Sequence, residues 1–79
     1  MERKEFLELC QRVSVLPDSV IGKQRIPLKL LVEYDGIRYY PLKYILWFEN
    51  GKPQHSAVLH DIKSKSTVTC PINKVERVF

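Results

Sequence analysis

The first apolar positions of the chain follow the spacing of an amphipathic helix. They recur at intervals of three and four residues, and they are Phe6, Leu9, Cys10 and Val13. This spacing predicts a short helix over residues 1–13 with one apolar stripe. Pro17 ends the helical pattern, and residues 14–25 are expected to form a linker. Because a helix of a dozen residues is only marginally stable in water, its stripe must pack against another element.

An alternating pattern follows in the stretch IPLKLLVEY. Every second residue is apolar, namely Ile26, Leu28, Leu30, Val32 and Tyr34. This period of two predicts a strand with one apolar face. Asp35 and Gly36 come next and suit the positive φ angles of a type I′ turn. The cross-strand pairs that a two-residue turn would create are Glu33 with Arg38 and Val32 with Tyr39.

A second hairpin is predicted in LKYILWFENGKPQHSAVLHD, where Asn50 and Gly51 form a strong turn signal. One face, expected to be the core face, would carry the pairs Leu46 with His55, Tyr44 with Ala57 and Leu42 with Leu59. The opposite, wetter face would carry Trp47 with Gln54, Ile45 with Ser56 and Lys43 with Val58. Pro41 cannot donate a ladder hydrogen bond, so it marks a bend, an edge position or a bulge.

The C-terminal part predicts two short elements. TVTC has the composition of a short strand after the polar turn IKSKS, and PINKVE predicts one helical turn opened by Pro71, before RVF closes the chain. Residues 26–79 therefore predict an antiparallel β meander. The expected fold class is α+β, a single small domain in which a short N-terminal helix precedes a strongly twisted antiparallel sheet of about five strands, curled into a partly open barrel.

At the level of fold, this organisation resembles the SH3-like and Sm-like barrels, in which a helical turn commonly precedes the last strand. The resemblance to the Sm-like RNA-binding proteins covers the helix and the stretch IPLKLLVEYDGIRYY, where Gly36 lies at the position of a turn glycine of that family. Pro41 and CPINKV depart from the two RNA-binding signatures of the family. The resemblance therefore implies a topology, and it does not extend to ring assembly or uridine binding.

Composition narrows the class of protein. Hydrophobic residues make up 44% of the chain and charged residues 28%, which is ordinary for a folded domain. No apolar run reaches the roughly 18 residues that a bilayer span needs. The start, MERKEFLELCQRV, lacks the apolar stretch of a secretory signal, so a cytoplasmic location without membrane contact is expected. The net charge of +4 favours polyanionic partners without requiring them.

The reactive residue types are not spaced for catalysis or metal binding. Cys10 and Cys70 lie near opposite ends of the chain and form no C-x-x-C motif, so both are expected to be buried thiols. His55 and His60 are five residues apart on one predicted strand and should point to opposite faces. No phosphate-binding or nucleophile motif occurs in the chain. The expectation is a non-enzymatic protein with no cofactor and no metal.

Four residues form the candidate binding site, and they are Arg38, Tyr40, Lys43 and Trp47. They share one side of the chain if the bend at Pro41 preserves their alternation. Cations interleaved with exposed aromatic rings suit single-stranded nucleic acid, because phosphates meet the charges and bases stack on the rings. In the competing interpretation, Trp47 and Tyr40 pack under the N-terminal helix.

Protein interaction is the alternative function. Small barrels present aromatic grooves and strand edges that accept a protein partner, and a strand edge could also mediate self-association. Nucleic-acid binding should weaken steeply with added salt, whereas binding to an aromatic groove should respond little. The sequence leaves both classes of partner open.

Overall fold

The computed structural model describes residues 1–22, 25–61 and 63–78. Two helices precede five strands, and their bounds are α1 (Arg3–Ser14), α2 (Asp18–Gly22), β1 (Val32–Tyr34), β2 (Ile37–Glu49), β3 (Lys52–Asp61), β4 (Ser66–Pro71) and β5 (Glu76–Arg77). Among the described residues, a 3-10 turn at Leu28–Leu30 precedes β1 and another at Ile72–Lys74 precedes β5. The protein is thus a small α+β domain with a short N-terminal helix and a five-stranded antiparallel sheet. None of the helices among these residues is both long and apolar enough to cross a bilayer.

Helix α1 confirms the predicted amphipathic stripe. Its buried residues are Phe6, Leu9, Cys10 and Val13. Glu5 in the first turn and Arg12 in the last complement the helix dipole. The N-terminal ammonium of Met1 donates hydrogen bonds to the carbonyl oxygens of Ile72, at 3.2 Å, and Val75, at 2.9 Å. These bonds join the start of α1 to the turn that precedes the last strand.

The linker predicted over residues 14–25 contains a second helix, α2, and residues 23–24 lie outside the described part of the chain. The carbonyl of Pro17 starts this helix by accepting hydrogen bonds from the amides of Val20, at 2.9 Å, and Ile21, at 3.3 Å. Proline is tolerated there because the first turn of a helix needs no amide donor from it.

The strand predicted from Ile26 is shorter than its alternation suggested. Only Val32–Tyr34 form β1, because Leu28–Leu30 turn through a 3-10 helix in which Pro27 accepts the amide of Leu30 at 2.9 Å. Side chains in a 3-10 turn rotate by about 120° per residue, so alternation is lost. Leu28 is accordingly 44% exposed, although it was expected on the core face.

The sheet has the strand order β4-β3-β2-β1-β5, and every neighbouring pair is antiparallel. Both hairpin registers predicted from the turns are confirmed up to the bend: Glu33 faces Arg38, Val32 faces Tyr39, and Leu46 faces His55. The residues that hold positive φ angles in the two turns are Asp35, Gly36, Asn50 and Gly51. These are the angles of type I′ turns, which match the twist of the strands they join.

A bulge at Leu42 overturns one predicted pair. Leu59 faces Pro41 instead of Leu42, and the next pair joins Lys43 to Val58, so Leu42 has no partner on β3. Leu42 is 40% exposed, whereas Pro41 and Leu59 are fully buried. The physical reason is that one extra residue on β2 shifts the register at the point where Pro41 lacks an amide proton.

The core lies between α1 and one face of the curved sheet. The sheet contributes Ala57, Leu59 and Cys70 to it, and the C-terminal turn contributes Ile72 and Val75. The sheet stays open, because β4 and β5 form its two edges. The opposite face of the sheet is open only in part, because Lys43 and Trp47 are exposed there while Tyr40, Ser56 and Val58 are buried.

Candidate nucleic-acid interface

The bulge places the four candidate residues on one face of the sheet. Tyr40 pairs with His60, Lys43 with Val58 and Trp47 with Gln54, and the three β3 partners are separated by even numbers of residues. Residues paired across a ladder share a face, so Tyr40, Lys43 and Trp47 do too. Arg38 precedes Tyr40 by two residues and joins them. We call this set the outer face; it comprises Arg38, Tyr40, Lys43, Ile45 and Trp47 of β2, Gln54, Ser56, Val58 and His60 of β3, and Thr67 and Thr69 of β4.

Trp47 lies open on the outer face. Its side chain is 44% exposed, and its indole Nε1 donates a hydrogen bond to Ser56 Oγ at 2.9 Å. It takes no part in the core cluster that contains the α1 stripe. The interpretation in which Trp47 packs under the helix is therefore wrong. The hydrogen bond orients the ring and leaves much of its surface available for contact.

Tyr40 occupies a different environment. It is only 8% exposed and belongs to the core cluster, and burial raises the pKa of its hydroxyl. Its ring centroid lies 5.1 Å from that of His60, with the two planes tilted by 54°. His60 is half-buried, and its Nδ1 lies 3.3 Å from Thr67 Oγ1. Tyr40 is therefore too buried to act as an open stacking surface. Its ring instead packs against the ring of His60.

His60 was missed as a candidate by the sequence reasoning. The sequence did contain a signal for it, because counting outward from Asn50-Gly51 with one bulged residue brings His60 opposite Tyr40. Without the bulge, the same count would place His60 opposite Pro41. The position of the bulge could not be deduced from Pro41 alone.

A cleft of about 500 Å³ opens at the Arg38 end of the outer face. Its lining residues are Leu31, Gly36, Ile37, Arg38, Tyr39, Tyr40, His60, Asp61 and Lys63. Asp61 accepts the backbone amide of Lys63 at 3.0 Å. Burial, together with the nearby carboxylates of Asp61 and Asp35, raises the pKa of Tyr39, so that hydroxyl stays protonated. The cleft combines two exposed cations, one carboxylate, two tyrosine rings and the imidazole of His60.

The far end of the β2–β3 hairpin exposes apolar residues on the other face. Strand β4 ends where Pro71 pairs with Ser56, so the hairpin beyond that point is only two-stranded. Leu46 is 46% exposed and Phe48 is 66% exposed. By alternation both point away from Trp47, on the side where Tyr44 hydrogen-bonds His55. We call Leu46 and Phe48 the apolar side of the hairpin end.

The two histidines lie on opposite faces of β3, as their spacing predicts, because His55 pairs with Leu46 and His60 with Tyr40. Within residues 1–22, 25–61 and 63–78 no three His, Cys, Asp or Glu side chains come together as metal ligands would. Cys10 and Cys70 are both buried free thiols. Burial raises the pKa of Cys70 and raises that of Cys10 to about 11.

The pKa of Cys10 predicts a loss of stability at high pH. Unfolding returns this thiol from a pKa of about 11 to its ordinary value of 9.0. Between these values the unfolded chain releases a proton that the folded chain keeps, so the free energy of unfolding should fall as the pH rises from 9 to 11. Urea denaturation across this window measures the slope.

The matched variants for that measurement are Cys10→Ala and Gln11→Ala. We expect Cys10→Ala to weaken the pH dependence without abolishing it, because the other groups with raised pKa values remain, whereas Gln11→Ala, on the exposed side of α1, keeps the slope of the parent protein. Equal slopes for Cys10→Ala and the parent would contradict the assignment.

Comparisons with family models, with characterised proteins and with solved structures found no match to this chain.

Proposed function

We propose that this protein is a non-catalytic binding domain that contacts single-stranded nucleic acid through its outer face. The observation that supports this function is the bulge at Leu42, which keeps Arg38, Lys43 and Trp47 together on one side of β2. Arg38 and Lys43 are exposed, so their charges can meet phosphates, and the open indole of Trp47 can stack on a base. A sheet face with an exposed aromatic ring can serve as a platform for single-stranded bases.

The length of the outer face fits an extended single strand of nucleic acid. Arg38 and Trp47 are nine residues apart on β2, which corresponds to about 30 Å of strand. Lys43 lies between them, and the cleft with its second cation, Lys63, adjoins the Arg38 end. A nucleic-acid strand lying along β2 would meet cations at one end and in the middle, and the indole at the other end.

For the fold we propose membership of the SH3-like or Sm-like barrels. Support comes from the pairing of β5 with β1, which brings the chain end back to the first strand, and from the 3-10 turn Ile72–Lys74 that precedes β5. Such a topology carries no function by itself. The two buried free cysteines suit a reducing compartment, which supports a cytoplasmic location.

A protein partner is the second candidate, favoured by the apolar side of the hairpin end. Leu46 and Phe48 expose large apolar surfaces on a two-stranded ribbon that nothing else in the sheet covers. Exposed aromatic and aliphatic side chains of this kind are the usual anchors of protein interfaces. They point away from Trp47, so the two functions use different residues and can be tested separately.

A salt series with short fluorescent DNA and RNA oligomers tests the nucleic-acid function. Affinity should fall linearly in a double-logarithmic plot, and Arg38→Ala or Lys43→Ala should each reduce the slope by about 0.7. Trp47→Ala should weaken binding by about 5- to 150-fold, the equivalent of about 1 to 3 kcal/mol of base stacking, with little change of slope. Leu46→Ala is the control on the opposite face and should leave binding unchanged.

The two candidate functions predict opposite results for these variants. Absence of oligomer binding at low salt would exclude the nucleic-acid function, as would a salt slope that Lys43→Ala does not change. In a pull-down, a protein partner lost with Leu46→Ser and Phe48→Ser but retained with Arg38→Ala and Lys43→Ala would favour the second function. Circular dichroism of each variant confirms that the domain is still folded.

A further inference from the structure

The two edges of the sheet differ in how well they are protected from pairing. Strand β5 is two residues long, and both residues, Glu76 and Arg77, are charged. Strand β4 is six residues long and carries no charge over Ser66–Pro71. Short length and charged side chains are the usual protection of edge strands against other chains. Strand β4 has neither of these protections, and the proline at its end, Pro71, is its one edge-blocking residue.

Strand β4 also has unused hydrogen-bonding capacity. It pairs with β3 along one side only, from Ser66 opposite Asp61 to Pro71 opposite Ser56. In an antiparallel ladder alternate residues direct their amide and carbonyl groups to the other side. Apart from the bonds within helices and strands, no backbone hydrogen bond of the described residues involves Ser66–Pro71. The outer side of β4 can therefore accept a further strand.

We propose that β4 pairs antiparallel with β4 of a second copy of this chain, around a two-fold axis at Val68. The edge reads Thr-Val-Thr in either direction about this residue, with the small Ser66 and Cys70 outside it. The pairs that this register creates are Val68 with Val68, Thr67 with Thr69 and Ser66 with Cys70 of the second copy. A two-fold interface must be self-complementary, and this edge meets that requirement.

The chemistry of the proposed pairs is favourable on both faces. Thr67 and Thr69 are exposed on the outer face, and threonine pairs across antiparallel strands stabilise a sheet. Val68 is half-buried and packs against the core on the inner face, so contact with a second Val68 would extend that apolar surface. The dimer would be a continuous ten-stranded sheet in which both remaining edges are the short, charged β5.

Lys65, the charged residue that directly precedes β4, does not oppose this pairing. In the proposed register Lys65 would face Pro71 of the second copy. The two Lys65 residues would then be about 20 Å apart along the strands, which is beyond the screening length of about 8 Å at physiological salt. A second copy therefore fits this edge without bringing the two Lys65 side chains together.

Two charge variants test the dimer. The Thr67→Lys/Thr69→Lys variant places lysine opposite lysine in both threonine pairs, and Thr67→Glu/Thr69→Glu places glutamate opposite glutamate. Each should be monomeric, because like charges directly opposite each other destabilise a ladder. Mixing the two variants places lysine opposite glutamate and should restore the dimer. Both variants remove the Thr67 hydroxyl that contacts His60.

Sedimentation velocity over a wide range of protein concentrations, without nucleic acid, measures the outcome. The parent protein and the mixture should reach twice the 9.3 kDa mass of one chain, while each variant alone stays at that mass. Urea denaturation of each variant confirms that the fold is intact, since both positions are exposed. A parent protein that is monomeric at every concentration would overturn the proposal, as would a dimeric lysine variant or a mixture that does not associate.

Discussion

Replacing Phe6 by alanine is expected to lower the free energy of unfolding by about 3 to 5 kcal/mol. Phe6 is fully buried and is among the largest enclosed side chains, and it joins α1 to the sheet. Truncation removes apolar contacts and leaves a cavity that a thin core cannot refill. A domain of this length has a total stability of about 4 to 12 kcal/mol, so this loss is a large part of it.

Leu7→Ala is the matched control for the Phe6 variant. Leu7 is the next residue on α1 but is 44% exposed, so its truncation should change the free energy of unfolding by about 0.5 kcal/mol or less. Thermal and urea denaturation of both variants measure the difference, and the two Tm values should differ by about 10 °C or more. Similar losses for the two variants would contradict the docking of the α1 stripe on the sheet.

Leu59→Ala should have the second-largest effect, a loss of about 2 to 5 kcal/mol. Leu59 is fully buried in the middle of the sheet, where it faces Pro41 on β2 and Val68 on β4. All three neighbouring strands therefore meet at this side chain. Urea denaturation of the variant gives the free energy directly.

The Leu42→Ala variant distinguishes the bulged register of β2 and β3 from a register that has no bulge. If Leu42 faced Leu59, as the turn at Asn50-Gly51 suggested, truncating either residue would open a cavity in the same part of the core. In the bulged structure Leu42 is 40% exposed, and its truncation should cost less than about 1 kcal/mol. Comparable losses for Leu42→Ala and Leu59→Ala would refute the bulge, and with it the common face of Arg38 and Trp47.

The candidate site was partly predictable because strand alternation is a local property. The pairs of Trp47 with Gln54 and of Lys43 with Val58 follow from the turn and were predicted correctly. The burial of Tyr40 could not be predicted in this way. Alternation places it on the outer face, but burial to 8% depends on how the sheet curves, which involves residues far along the chain.

The difference between a local pattern and contacts with distant residues also explains why the strand predicted from Ile26 is wrong over residues 26–31. Their alternation of apolar side chains satisfied the period of a strand, yet Leu28–Leu30 form a 3-10 turn. Among the described residues, β1 pairs with β2 and β5 only from Val32 onward, so no strand is paired with Leu28–Leu30. An apolar pattern becomes a strand only where another strand can complete its ladder.

The sequence by itself determined the apolar stripe of α1, the two type I′ turns and the register of both hairpins near those turns. These features depend on residues within a few positions of one another, so local sterics and side-chain periodicity suffice for them. Only the tertiary structure decided the bulge at Leu42, the pairing of β5 with β1, and which aromatic ring is buried and which is open. Those outcomes require contacts between residues distant in the chain, whose free energies appear only once the sheet has curved around the helix.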